Sequence, residues 1–161
     1  MDTIGLARAK WEQHGWGDAA EGMAAVTSVM RAQQILQARV EEVMRPFDLS
    51  FARYEVLMLL HFSSRGSMPV KKAAQRLQVH PTSITNSVDR LEAAGLVRRG
   101  PHPTDGRATL IEITDLGRET ALKATEAVNR DVFSQPGLSG RRVSTLVNVL
   151  EDLRRSAGDF G

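Results

Sequence analysis

Between Pro81 and Gly117 the chain prescribes a short helix, an abrupt stop and a stiff basic hairpin, and few folds accommodate that order. Pro81 suits the first turn of a helix, where its missing N–H leaves nothing unsatisfied. Gly95 suits a left-handed C-terminal cap. Between them Ile84, Val88 and Leu91 fall within about 60° of one another at 3.6 residues per turn. Thr82, Asn86, Asp89, Arg90 and Ala93 lie roughly opposite, with Ser83 on the flank. Thr, Ser and Asn are weak helix formers, and a plain surface helix more often carries Lys/Glu pairs. Contact with base edges gives their presence a reason; a solvated surface helix is the ordinary alternative. Leu96 to about His102 and Arg107 to Thr114 read as paired strands, with Thr109, Ile111 and Ile113 alternating on one face. Pro101, Pro103 and Asp105-Gly106 make their connection turn-prone. A polar-faced helix followed by a basic hairpin suits a double helix, the helix in one groove and the tip in the next.

The flanking segments are helical. One short helix is expected around Leu6 to His14, broken near Gly15 and Gly17. From Ala20 to Phe47, Val26, Val29, Met30, Leu36, Val40, Val43, Met44 and Phe47 recur at helical spacing, with Pro46 ending that helix or lying in its last turn. Ser50 is an expected N-cap for a buried helix reaching His61 or Phe62. Met68 and Pro69 suit a very short edge strand, and Val70 to Gln78 a further helix. Thr114 caps a helix expected to run to Phe133, and Pro136-Gly137 interrupts it. Ser139 caps a last helix, whose Val143, Leu146, Val147, Leu150 and Leu153 form one apolar seam. The seams at both chain ends need a cover, and a second copy of the same helices is the economical one. Packing within a single chain is the alternative.

The net charge of +2 conceals an uneven distribution. Residues 65–107 carry eight basic side chains (Arg65, Lys71, Lys72, Arg76, Arg90, Arg98, Arg99, Arg107) against three acidic ones (Asp89, Glu92, Asp105), a local +5 that leaves −3 elsewhere. Clustered Lys and Arg favour a polyphosphate partner through counterion release. No stretch approaches the roughly 20 apolar residues of a membrane span. The N-terminus lacks a basic-then-apolar export pattern, and there is no cysteine for a disulfide or thiol switch. A cytoplasmic location is expected, with no membrane partner. No Gly-rich phosphate loop or nucleophile elbow is present. His61 and Glu55, the one local acid–base candidate, do not face each other six residues apart on a helix. No enzyme activity or cofactor is expected, and no metal, because His14, His61, His80 and His102 lack ligand spacing.

Two motifs at the right separation resemble the MarR family of winged-helix transcription factors, over about residues 20–157. One is Asp105-x-Arg107 followed by Leu110-x-x-x-Thr114-x-x-Gly117; the other is Val88-Asp89-Arg90-Leu91-Glu92-x-x-Gly95-Leu96-Val97-Arg98-Arg99. The resemblance implies a mainly α fold with a small β-wing: a winged helix-turn-helix with a helical dimerisation region built from both chain ends. The expected division is an N-terminal extension (1–19), a dimerisation helix (20–47), the DNA-binding domain (48–114) and C-terminal dimerisation helices (115–161). The helix from Pro81 to Ala94 would enter the major groove, with Pro81, Thr82, Ser83, Thr85, Asn86 and Arg90 at the DNA. Arg98, Arg99, Asp105 and Arg107 would serve from the wing, Arg107 in the minor groove and Asp105 shaping the tip. Arg90 has a second available role, an internal ion pair with Asp89 or Glu92.

The function so implied is a homodimeric repressor on a palindromic operator in double-stranded DNA, released by a small, aromatic or phenolic ligand. A module for non-specific DNA packaging or protein–protein contacts is the alternative. Trp11, Arg53, Tyr54 and His61 are residue types able to line an effector pocket, although core packing or surface exposure is the ordinary reading of each.

Overall fold

The computed structural model describes residues 1–160; Gly161, the last residue of the 115–161 segment, lies outside the described residues. The Asp2 carboxylate accepts hydrogen bonds from the Ile4 and Gly5 N–H groups at 3.2 and 3.0 Å, so α1 begins at the N-terminus and spans Thr3–Gln13. Gly15 takes φ 81°, turning the chain into α2 (Gly17–Met44), which starts before Ala20. Arg8 on α1 pairs with Glu21 on α2 at 2.8 Å. At about 1.5 Å per residue, the 28 residues of α2 extend about 42 Å. Pro46 lies in a single 3-10 turn, Arg45–Phe47, and Asp48 follows in the left-handed region.

Ser50 caps α3 (Phe51–His61), its hydroxyl oxygen accepting from Arg53 N–H at 3.2 Å. Strand β1 (Ser67–Pro69) leads into α4 (Val70–Leu77), and Gln78 at φ 53° makes the turn into α5 (Pro81–Ala93). Gly95, at φ 73°, closes α5 in a Schellman pattern: Leu96 N–H donates to Leu91 C=O and Gly95 N–H to Glu92 C=O, both at 2.9 Å. Strands β2 (Val97–Pro101) and β3 (Thr109–Ile113) complete an antiparallel sheet of order β1-β3-β2. Met68 stands opposite Ile111, and Val97 opposite Ile113. The strands are shorter than expected from the sequence. Arg107 belongs to the turn because Asp105 C=O accepts the Ala108 N–H there, at 3.0 Å.

One core joins these elements. Val40 and Met44 of α2 pack with Leu57 and Leu60 of α3, Ile84, Val88 and Leu91 of α5, and Ile111 of β3. Helix α6 (Asp115–Val128) closes the core with Ala121, Ala124 and Val128. The regular helix does not continue to Phe133, as expected from the sequence. It widens into a π turn, Asn129–Phe133, that carries Val132 into the core. The turn is clamped where Arg39 of α2 donates to the carbonyls of Asp131 and Gln135, at 3.2 and 2.7 Å.

Helix α7 (Gly140–Ser156) starts after Ser139, but the Ser139 side chain makes no capping hydrogen bond. No residue of α7 is buried; Val147 is 56% exposed, and Leu146, Val149 and Leu153 are similarly open. The seam on α2 divides in two: Val40 and Met44 are buried, whereas Val26, Val29, Met30 and Leu36 are exposed. Among the described residues, no helix is long and apolar enough to cross a membrane.

Candidate nucleic-acid interface

Burying Ile84, Val88 and Leu91 fixes the rotation of α5, and with it which residues face outward. Pro81, Thr82, Ser83, Thr85, Asn86 and Arg90 are all exposed. The Thr85 hydroxyl donates back to Pro81 C=O at 2.9 Å, which leaves its lone pairs outward as acceptors. His80 is the N-cap: its Nδ1 accepts from Thr82 N–H at 3.1 Å, a capping role that sequence reasoning had not assigned.

The wing is tied to α5 by charge. Arg99 on β2 donates to Glu92 at 2.6 Å and also to Asp89, and its backbone N–H reaches Glu92 at 2.9 Å. Both acids near Arg90 are thereby taken, so Arg90 remains outside these ion pairs. Arg99, in contrast, is half-buried, and its charge is offset locally. Arg98 forms a two-pronged pair with Glu112 across the β2–β3 ladder, at 3.1 and 2.9 Å. Of the four basic residues expected at the DNA, Arg90 and Arg107 therefore present charge most openly, whereas Arg98 and Arg99 also brace the wing.

Two residues shape the wing tip. The Asp105 carboxylate accepts from Arg107 N–H at 3.0 Å, and His102 Nδ1 accepts from the N–H groups of Thr104 and Asp105 at 3.3 and 3.1 Å. The part played by His102 was missed in the sequence, where it had been weighed only as a metal ligand. Between α4, α5 and the wing opens a cleft of about 800 Å³, lined by Lys71, Gln75, Thr85, Arg99, Asp105 and Arg107 among others.

The Arg99 N–H, and then its guanidinium, hold the Glu92 carboxyl below the ordinary glutamate range. A depressed carboxylate stabilises the fold at pH values above its unfolded pKa, and that contribution is lost as pH falls through the lower, folded value. Glu92→Gln is therefore expected to melt below the parent protein at neutral pH. The two melting curves should converge below about pH 4, where glutamates protonate. A gap that persists in acid would mean that packing, not charge, ties the wing to α5.

Residues 47–108 match the MarR family model. HTH-type transcriptional regulator Mb0904 of Mycobacterium bovis is 30% identical over 133 residues, which cover 83% of this chain and 84% of the relative. The crystal structure of Sco5413, a MarR family transcriptional regulator from Streptomyces coelicolor, is 47% identical and superposes with a TM-score of 0.80 over 87% of this chain and 97% of that one. The chain belongs to the MarR family. It is a DNA-binding transcriptional regulator of the winged-helix type. A further structure similar to this chain is the transcriptional repressor CouR bound to a 23-mer DNA duplex, at 26% identity and a TM-score of 0.71, over 78% of this chain and 89% of that one. These relatives are regulators, not enzymes.

Within this MarR family chain the four residues weighed for an effector do not converge. Trp11 packs edge-on to Trp16, with ring centroids 5.3 Å apart, in the N-terminal hairpin. Tyr54 is buried and shares a 2.9 Å hydrogen bond with Thr125 of α6. His61 Nδ1 accepts from Arg118 of α6 at 2.8 Å, so His61 braces two helices and does not partner Glu55. Arg53 alone lines an open cleft, together with Ser50, Asn86, Ser87 and Arg90.

Proposed function

We propose that this MarR family protein is a homodimeric repressor that binds a palindromic operator and is released by a small aromatic or phenolic ligand. The observation that carries the DNA contact is the outward face of α5, polar and free of Lys/Glu pairing, set beside an exposed Arg107 on a braced wing tip. Arginine favours a narrow minor groove because the negative potential there is enhanced. Support for a dimer comes from α7, an apolar-seamed helix without a buried residue, and from the open first half of α2. Two copies would set their α5 helices about 34 Å apart, one turn of DNA.

A cleft of about 470 Å³ between α2 and the π turn supports an effector site. Val43, Phe47 and Val132 offer apolar surface there, and Arg39 and Arg130 are balanced by Glu42 and Asp131, Arg130 pairing with Asp131 at 2.8 Å, a lining suited to a small aromatic ligand without a requirement for net charge. Such a ligand would act by preferring a spacing of the two α5 helices that does not match DNA.

Titration onto duplex from its own promoter region should give salt-sensitive binding that random DNA does not match, reversed by members of a phenolic acid panel. Equal affinity for all sequences would favour DNA packaging. Arg107→Ala is expected to weaken operator binding about 10- to 100-fold, the range for removing one specific arginine pairing, with melting temperature and oligomeric state unchanged. Undiminished affinity would remove Arg107 from the interface.

A further inference from the structure

Arg53 stands outside the reading helix, and its Nε is buried without a hydrogen-bond partner. A guanidinium nitrogen cut off from both water and acceptor loses its desolvation energy with no return, so buried polar groups of this kind call for an explanation. Arg53 borders a cleft of about 250 Å³, whose other walls are Ser50, Asn86, Ser87 and Arg90. No carboxylate is among these lining residues. Three acids on the adjoining helices are engaged elsewhere: Asp89 and Glu92 with Arg99, and Glu41 with the Phe51 N–H at 3.2 Å. Two guanidiniums, two hydroxyls and an amide, with no carboxylate in the lining, define an oxyanion site. The volume falls below the range of organic ligand pockets, roughly 300–1,000 Å³, and leaves room for a phosphate with its bound water.

The position of the cleft selects the source of that phosphate. On α5, with Ile84 facing the core, Thr85 lies about 100° to one side, while Ser87 lies about 60° to the other, at 3.6 residues per turn. Thr85 borders the wing-side cleft, and Ser87 borders the Arg53 cleft. The two clefts thus flank the reading helix on opposite sides. A helix seated in a major groove about 12 Å wide has a sugar–phosphate strand on each side. With α5 so seated, the wing side would meet one strand and Arg53 the other.

We propose that Arg53, with Ser50, Ser87 and Arg90, forms a clamp for one backbone phosphodiester on the side of α5 away from the wing. The clamp rests on the reading of α5 as the groove-entering helix. Arg53 contributes affinity and register but no sequence preference, because phosphate contacts position and base contacts specify.

The test measures affinity across a sodium chloride series on two duplexes of equal length, one from the protein's own promoter region and one random, for the parent protein, Arg53→Gln and Arg53→Lys. Removing one cation from a phosphate flattens the slope of log affinity against log salt by about 0.9. Arg53→Gln is expected to flatten it by about two for a dimer and to weaken both duplexes by the same factor. Arg53→Lys should restore the slope while recovering only part of the affinity, because the ammonium keeps the charge and loses the two-pronged fork.

An unchanged slope in Arg53→Gln would overturn the clamp. So would a loss confined to promoter DNA, which would make Arg53 a base reader. If Arg53→Gln fails to fold, Arg53→Lys decides alone, and parent-like affinity on both duplexes overturns the clamp. Inorganic phosphate at constant ionic strength provides a separate arm. Stabilisation of the free protein that is lost in Arg53→Gln, together with unchanged DNA slopes, would assign the cleft to a free oxyanion and overturn the phosphodiester. A parent protein without sequence preference would instead defeat the operator assignment, and the slope comparison would still decide the clamp.

Discussion

Leu146→Asp is expected to convert the protein into monomers and to lower promoter affinity by about 10²- to 10⁴-fold. Leu146 belongs to α7, none of whose residues is fully buried, while Val147, Val149 and Leu153 lie exposed along the same helix. Covering one such leucine contributes about 1.5–3 kcal/mol, and an unpaired carboxylate in its place adds the cost of burying a charge. The loss at DNA follows from valency. Two linked reading helices bind the second half-site at high effective concentration, a gain of about 10²–10⁴ that a lone protomer forfeits. Light scattering with a parallel shift assay reads both effects. A parent protein that scatters as a single protomer, or a Leu146→Asp protein that remains paired, would refute the α7 interface.

The second large effect concerns stability. On helix propensity alone Gly117→Ala would stabilise α6 by about 1 kcal/mol. Packing reverses the sign. A Cβ on Gly117 would overlap the Leu96 carbonyl oxygen and lie 2.9 Å from its carbon and 3.0 Å from Ile113 Cγ1. The backbone cannot yield easily there. Thr114 donates its hydroxyl to Gly95 C=O at 2.7 Å, its N–H reaches Leu96 C=O at 3.1 Å, and its oxygen caps Gly117 N–H at 3.0 Å. Gly117→Ala is therefore expected to cost about 3 kcal/mol, or roughly 6–12 °C in melting temperature at this chain length. Gly22→Ala on α2, where a Cβ meets nothing within 4 Å, serves as the control and should gain about 0.5–1 kcal/mol. Similar melting temperatures for the two variants would contradict the packing account.

The Thr114–Gly117 pattern, visible in the sequence as part of a family motif, thus has a packing explanation. Other parts of the fold were legible for equally local reasons. Pro81 and Gly95 delimited α5 because the restrictions of each act on its own backbone. The periodicity of α2 was legible too, but not which half of its seam the chain covers, since that depends on where α6 returns. The partner of Arg99 was hidden for the same reason. Adjacency pointed to Arg90 for Asp89 and Glu92, whereas β2 runs back beside α5 and places Arg99 on both acids. The π turn after Val128 has no local signature, because a clamp from Arg39, about ninety positions earlier, accompanies it. The Arg53 cleft was obscured because its walls come from two helices, and the sequence suggests Arg53 only as a residue type able to line an effector pocket, with nothing to place it beside α5.

Helix α6 is pinned at several points along its length. Thr114 anchors it to the wing base, Arg118 and Thr125 grip α3, and the turn beyond its end is held by Arg39 of α2. One helix about 21 Å long, 14 residues at about 1.5 Å each, therefore ties the wing base, α3 and α2 into a single frame. Held at its start, its middle and just beyond its end, α6 cannot pivot on its own, so a shift of the Arg39 turn reaches the wing base only if α3 moves with it.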